Sequence, residues 1–150
     1  MEKLQFKVPG HPQGKGRPRF ARRGKFVQSY TPEKTVSYEN WIRNCYQKEH
    51  GDNKLLPPIS MDIVAIFDVP KSYSAKKRAA CLAGETLPTC KPDVDNIVKC
   101  VADALNGIAY VDDSSITDLT MHKKYGTQGC LLVRLTGCVD IQTALEAQNE

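Results

Sequence analysis

Two aspartates one residue apart, Asp93 and Asp95, are followed by Lys99 four residues after the second and, further on, by the acidic pair Asp112-Asp113. Carboxylates are the hard oxygen ligands that Mg²⁺ prefers, and a nearby ammonium supplies a cation for phosphate. The set has the chemistry of a metal site working on a phosphate-rich partner. Each residue also has an ordinary structural use. Asp93 or Asp95 could cap a helix and complement its dipole. Asp95 and Lys99 could form an i,i+4 ion pair, and Asp112-Asp113 could be a turn.

Whether the acids meet depends on the elements that carry them. Ile97, Val98, Val101, Ala102 and Leu105 fall on one helical face, so the spacing predicts a helix from Asp93 to Asn106, stopped at Asn106-Gly107. Asp95 and Lys99 then share a face away from the mainly apolar side. Ile108 to Val111 reads as a short strand. From Asp95 to Leu105 a helix rises about 15 Å, and an extended chain from Ile108 to Asp113 covers about 16 Å. If the chain reverses at Gly107, the acidic pair returns beside the start of the helix. Strand alternation would send only one of Asp112 and Asp113 into the site.

The remaining elements follow from pattern. Leu4 to Val8 alternates apolar and polar residues as a strand does. Thr31 and Pro32 read as N-cap and first residue of a helix running to about Glu49, with Val36, Tyr38, Trp41, Ile42 and Cys45 as its core face. Ile59 to Val69 reads as a strand buried on both faces. Ser74 caps a short helix from Ala75 to about Ala83, whose Lys76-Lys77-Arg78 makes a second cationic patch. Ile116 to Lys124 and Cys130 to Leu135 are two more strands, joined by a hairpin turn between Gly126 and Gly129. From Asp140 onward the chain is polar to acidic and reads as a frayed helix without a motif. Mixed strands and helices in 150 residues imply one α/β (α+β) domain, a small mixed sheet of about four to five strands with helices packed on it.

Charge is unevenly placed. Residues 1–30 hold eight Lys/Arg against one acid, while residues 31–150 hold thirteen against sixteen. The densest stretch, Gly14 to Lys25, carries Lys15, Arg17, Arg19, Arg22, Arg23 and Lys25 with no acid, interleaved with glycine, proline and Phe20. That composition favours a flexible loop. Its cations repel one another unless an anion lies between them, and a nucleic-acid backbone can do so with release of counterions. The glycines would permit close approach to phosphates.

Other classes are disfavoured. No apolar run approaches the roughly 18 residues of a membrane span, and Met1-Glu2-Lys3-Leu4 does not open a signal peptide, so a cytoplasmic protein is expected. The six cysteines have no C-x₂-C or C-x₄-C spacing, and none neighbours a histidine. They are expected to be reduced thiols acting as small buried hydrophobes.

Pro92-Asp93-Val94-Asp95-Asn96-Ile97-Val98-Lys99, Asp103-Ala104-Leu105 and Val111-Asp112-Asp113-Ser114 together resemble the signature of the RusA family of Holliday-junction resolvases. Gly14-Lys15-Gly16-Arg17-Pro18-Arg19-Phe20 with Tyr30-Thr31-Pro32 is similar to its phage and Gram-positive members. The resemblance spans roughly residues 3–137 and implies an endonuclease domain over 1–138, with a basic loop at 10–30 and a polar tail at 139–150. It implies a Mg²⁺-dependent endonuclease, with Mn²⁺ as a substitute ion. Such an enzyme acts as a homodimer that nicks two strands of four-way junction DNA in recombination and repair, in the cytoplasm of a bacterium or phage-infected host. It assigns Asp93, Asp95 and Asp113 as metal-binding carboxylates and Lys99 as the essential lysine. Because the stretch between helix and acidic pair is a residue shorter than in the enterobacterial pattern, Asp112 stays an alternative to Asp113. Asp103, most of the way along the helix, takes a structural role.

A four-way junction has near-twofold symmetry, so a twofold enzyme would set two identical sites against related strands. Lys15, Arg17, Arg19, Arg22, Arg23 and Lys25 would contact its phosphates. Two other classes answer part of the pattern. A non-catalytic nucleic-acid-binding module explains the basic stretch but not the carboxylates. A D-x-D glycosyltransferase explains Asp93 and Asp95, yet the chain is short for one and has no glycine-rich phosphate loop before a helix.

Overall fold

A computed structural model describes residues 1–139 and 145; the tail helix expected from Asp140 lies outside the described residues. The strands β1 (Glu2–Pro9), β4 (Leu56–Asp68), β5 (Ile116–Gly126) and β6 (Cys130–Cys138) form one sheet in the order β1-β6-β4-β5. β4 and β5 are parallel and the other pairs antiparallel, so the sheet is mixed, as expected. A separate antiparallel pair, β2 (Arg19–Arg23) and β3 (Phe26–Tyr30), stands apart from it.

Helices α1 (Glu33–His50) and α3 (Val94–Leu105) and the shorter α2 (Ala75–Leu82) complete the fold. α1 and α3 pack on one face of the sheet, where Met61, Ile63, Ala65 and Phe67 of β4 meet Ile42, Tyr46, Ile97, Val101 and Leu105. Strand alternation puts Ser60, Asp62, Val64 and Ile66 on the opposite, half-buried face, so β4 is not enclosed on both sides as its apolar run suggested. Polar partners hold that open face. The Thr120 hydroxyl donates to Asp62 Oδ1, and Arg134 Nε donates to Asp62 Oδ2 at 3.0 Å. The Thr120 bond first, then Arg134, holds the Asp62 carboxyl below its ordinary range.

Five local expectations are corrected. Gly126 and Gly129 do not close a hairpin, because β5 and β6 are not neighbours: the connection crosses the end of β4, where Asp68 Oδ1 accepts the Gly129 N–H at 2.9 Å. Pro32, not Thr31, occupies the N-cap of α1, and its carbonyl accepts the N–H groups of Thr35 and Val36. Trp41 is 44% exposed rather than core, with its indole N–H donated to Pro9 O at 2.8 Å. The buried stripe of α1 is Thr35, Tyr38, Ile42, Cys45 and Tyr46, which excludes Val36. Finally, Ile108 to Val111 is a turn rather than a strand, with Ile108 and Ala109 N–H groups both bonded to Leu105 O. All six thiols are free; Cys90 is exposed and the other five are buried.

Candidate active site

The residues of the D-x-D motif sit where helix α3 begins. Asp93 is its N-cap residue, but its carboxylate makes no capping hydrogen bond, and Asp95 lies in the first turn. Asp93, Asp95 and Lys99 are all exposed. Asp95 and Lys99 line one groove of about 520 Å³ with Val94, Val98, Leu119 and Met121. They do not form an ion pair among those made by the described residues, so neither the capping hydrogen bond open to Asp93 nor the i,i+4 pair open to Asp95 is made, although both acids lie where they complement the helix dipole.

Asp112 and Asp113 lie elsewhere. The Asp113 N–H donates to Asn106 Oδ1 at 3.2 Å, which ties the acidic pair to the C-terminal end of α3. Asp95 and Asn106 are separated by about 16 Å of helix rise. The expected return along α3 fails because residues 106–110 turn in place, with Tyr110 buried and its hydroxyl donating to Ala102 O at 2.7 Å. β5 makes the return journey instead: it leaves the short helix Asp113–Ser115 at one end of α3, and Lys123 Nζ reaches Cys90 O, at 2.6 Å, at the other. Among the described residues, no three His, Cys, Asp or Glu side chains converge to hold an ion. Asp93 and Asp95 therefore lie at one end of α3, and Asp112 and Asp113 at the other.

Within the acidic pair the two carboxyls differ. The Ser114 hydroxyl donates to Asp112 Oδ2 at 2.6 Å and holds that carboxyl low, whereas partial desolvation and then the neighbouring Asp112 push Asp113 up. Tyr110, beside them, has its ionisation raised first by burial and then by Asp113 and Asp103.

The basic stretch is an ordered hairpin, not a flexible loop. Arg19 pairs with Tyr30 and Arg23 with Phe26, leaving Gly24-Lys25 as a two-residue turn in which Gly24 adopts φ +61°. Composition concealed it, but Gly24 between two stretches of β-forming residues was a usable signal. The chain leading into the hairpin is clamped to both long helices. Lys15 N–H donates to Asn96 O at 3.0 Å, and Gly16 N–H to the hydroxyl of buried Thr35 at 3.0 Å. A Cβ on Gly14 would meet Asn96 Cβ at 2.9 Å, and one on Gly16 would meet Thr35 Oγ1 at 2.7 Å. The two glycines thus permit close approach of backbone to helix, whereas phosphate was expected there.

Lys15 also departs from expectation. Its ammonium turns inward to Glu39 at 2.7 Å and Asp103 at 3.0 Å, so it joins α1 to α3. Partial burial alone would lower its pKa, but the hydrogen bonds to Glu39 and Asp103 outweigh that and raise it. Asp103 is accordingly structural, as its position on the helix implied. Arg17, Arg19, Arg22, Arg23 and Lys25 remain exposed, and none is in an ion pair among the described residues. Arg17 and Arg19 line an open groove of about 870 Å³ together with Lys91, Pro92, Asp93 and Asn96. Free cations and an uncapped carboxylate share that groove.

The sequence matches the family described as Endodeoxyribonuclease RusA over residues 9–136. It is also 36% identical over 130 residues to the protein YqaN of Bacillus subtilis (strain 168), described as uncharacterized, covering 85% of this chain and 92% of that one. The chain belongs to the RusA endodeoxyribonuclease family, and it is a nuclease by that membership. Among its described residues no helix is long and apolar enough to cross a membrane.

Proposed function

We infer that the protein is a Mg²⁺-dependent, structure-specific endonuclease that resolves four-way DNA junctions by paired nicks. The observation that carries this reading is the clamp between Lys15 N–H and Asn96 O, which fixes the root of the cationic hairpin to the segment bearing Asp93 and Asp95. A phosphate backbone held by Arg17, Arg19, Arg22, Arg23 and Lys25 would be led directly to those carboxylates. A glycosyltransferase has no use for such a coupling, and a purely binding module has no use for uncapped acids that repel phosphate.

Asp93 and Asp95 are hard-oxygen donors suited to Mg²⁺, or to Mn²⁺ in its place, and such an ion lowers the pKa of bound water and neutralises phosphate charge. One chain does not complete the set, so the third carboxylate, Asp113 with Asp112 as its alternative, is supplied by a second copy. The support is geometric. β5 is a sheet edge that runs antiparallel to α3, and Leu119 and Val94 beside it are 46% and 44% exposed. Antiparallel pairing of two β5 edges near Leu119 would cover these side chains and carry the Asp113 end of each copy toward the Asp95 end of the other. Lys99, one helical turn from Asp95, would hold its ammonium against charge developing on the scissile phosphate. Losing one such group typically costs about 10²–10³ in rate.

The test uses a synthetic four-way junction and a linear duplex, each incubated with protein and Mg²⁺. We predict paired symmetric nicks in the junction alone, and for Asp95→Asn no nicks with junction binding retained. Cleavage by Asp95→Asn at the wild-type rate would refute the assignment.

A further inference from the structure

The β2–β3 hairpin carries more apolar surface than phosphate contact requires. Phe20 is 71% exposed, Phe26 78% and Val27 67%. Single exposed apolar residues are ordinary, but these three lie on a ladder of five residue pairs with three arginines. Register fixes their arrangement. Phe26 lies opposite Arg23, and Tyr30 opposite Arg19, on one face; Phe20, Arg22 and Val27 share the other. With rings on both faces, the ladder cannot bury its apolar side by lying down on the domain. No cation–π contact among the described residues involves a hairpin ring, so the arginines do not cover the rings either.

We propose that this hairpin is a base-stacking wedge, in which Phe20 and Phe26 stack on bases unpaired at the branch point while Arg19, Arg22 and Arg23 hold the flanking phosphates. Every base has a π-face, so aromatic residues interleaved with cations suit opened DNA of any sequence. The hairpin's cations, with no acid among them, argue against a second hairpin as the occupant, because two copies would repel. The clamped root matters as well: bonds to Asn96 and Thr35 fix where the wedge enters relative to Asp93. This inference rests on the reading of the substrate as branched DNA.

The test compares wild type with Phe20→Ala and Phe26→Ala in EDTA, on a four-way junction carrying 2-aminopurine beside the branch point and on a duplex of equal length. Wild type should raise the fluorescence as the base unstacks. Each variant should lose most of that rise and bind the junction about tenfold more weakly, the lower part of what one stacked base contributes. Duplex affinity should change less than twofold and the melting temperature not at all. Retention of the rise and the affinity, or an equal loss on duplex and junction, would overturn the wedge. So would a shift in the sedimentation of DNA-free protein, or a loss of binding to anionic vesicles with junction binding intact. If wild type neither prefers the junction nor nicks it with Mg²⁺, the substrate reading itself fails. If it does both and only the variants behave as wild type, stacking alone is wrong.

Discussion

Replacing Lys15 with alanine separates structure from DNA contact within one basic stretch. The Lys15 ammonium makes two charge-assisted hydrogen bonds, at 2.7 Å to Glu39 and 3.0 Å to Asp103, and these three side chains are 19%, 14% and 29% exposed. Hydrogen bonds to charged groups contribute about 1.5–3 kcal/mol each, and residual exposure argues for the low end, so the pair is worth about 2–3 kcal/mol. For a domain of this size the melting temperature should fall by about 4–12 °C. The slope of log affinity against log salt should stay put, because the Lys15 ammonium is already held by Glu39 and Asp103, whereas Arg22→Ala or Arg23→Ala should flatten it by about 0.9 without changing the melting temperature. The pH dependence has a definite sign. Since the folded pKa of Lys15 lies above its ordinary 10.5, its stabilisation is fully present below that value and is lost as pH rises through the folded pKa. The gap between wild type and Lys15→Ala should therefore be constant at neutral pH and shrink only in strongly alkaline buffer. Calorimetry and salt titration of binding test both halves. An unchanged melting temperature with a flatter salt slope would refute the inward placement of Lys15.

Leu119→Asp should convert the proposed dimer to monomer, read by sedimentation, and abolish nicking in Mg²⁺ while leaving the melting temperature of the monomer within a few degrees; a dimeric or active variant would sink the β5 edge as the interface. Asp62→Asn should blunt acid sensitivity. The folded pKa of Asp62 lies below its ordinary 3.8, so its stabilisation is present above that value and lost as pH falls through the folded one. Denaturant midpoints measured down the acid limb should converge for wild type and variant, and parallel curves would count against the Asp62 network.

Periodicity revealed α3, β1 and β4 because each buries a face whose spacing is fixed by helix or strand geometry. It placed Asp95 and Lys99 on one exposed face of α3, where they are found. The errors have physical sources. Ile108 to Val111 is apolar because Ala109 and Tyr110 are buried under a turn, and four apolar residues do not distinguish turn from strand. The apolar stripe of α1 is broad enough for Trp41 to join it on paper, yet the stripe that packs lies to one side of it. Gly14 and Gly16 read as phosphate contacts because nothing in sequence says which backbone will come near. The neighbour relation of β5 and β6 was illegible for the same reason: strand order is set by long-range pairing.

β6, the last strand among the described residues, lies between β1 and β4, with Leu4 opposite Leu135 and Ile63 opposite Val133. During synthesis β1 has no partner until Cys130–Cys138 has left the ribosome, so its Leu4, Phe6 and Val8 must wait through the making of everything between. Pairing strands more than a hundred residues apart in sequence costs loop entropy before any contact rewards it, which favours slow folding. A nascent or truncated chain ending before Cys130 would display two orphaned strand edges at once, the form most prone to aggregate.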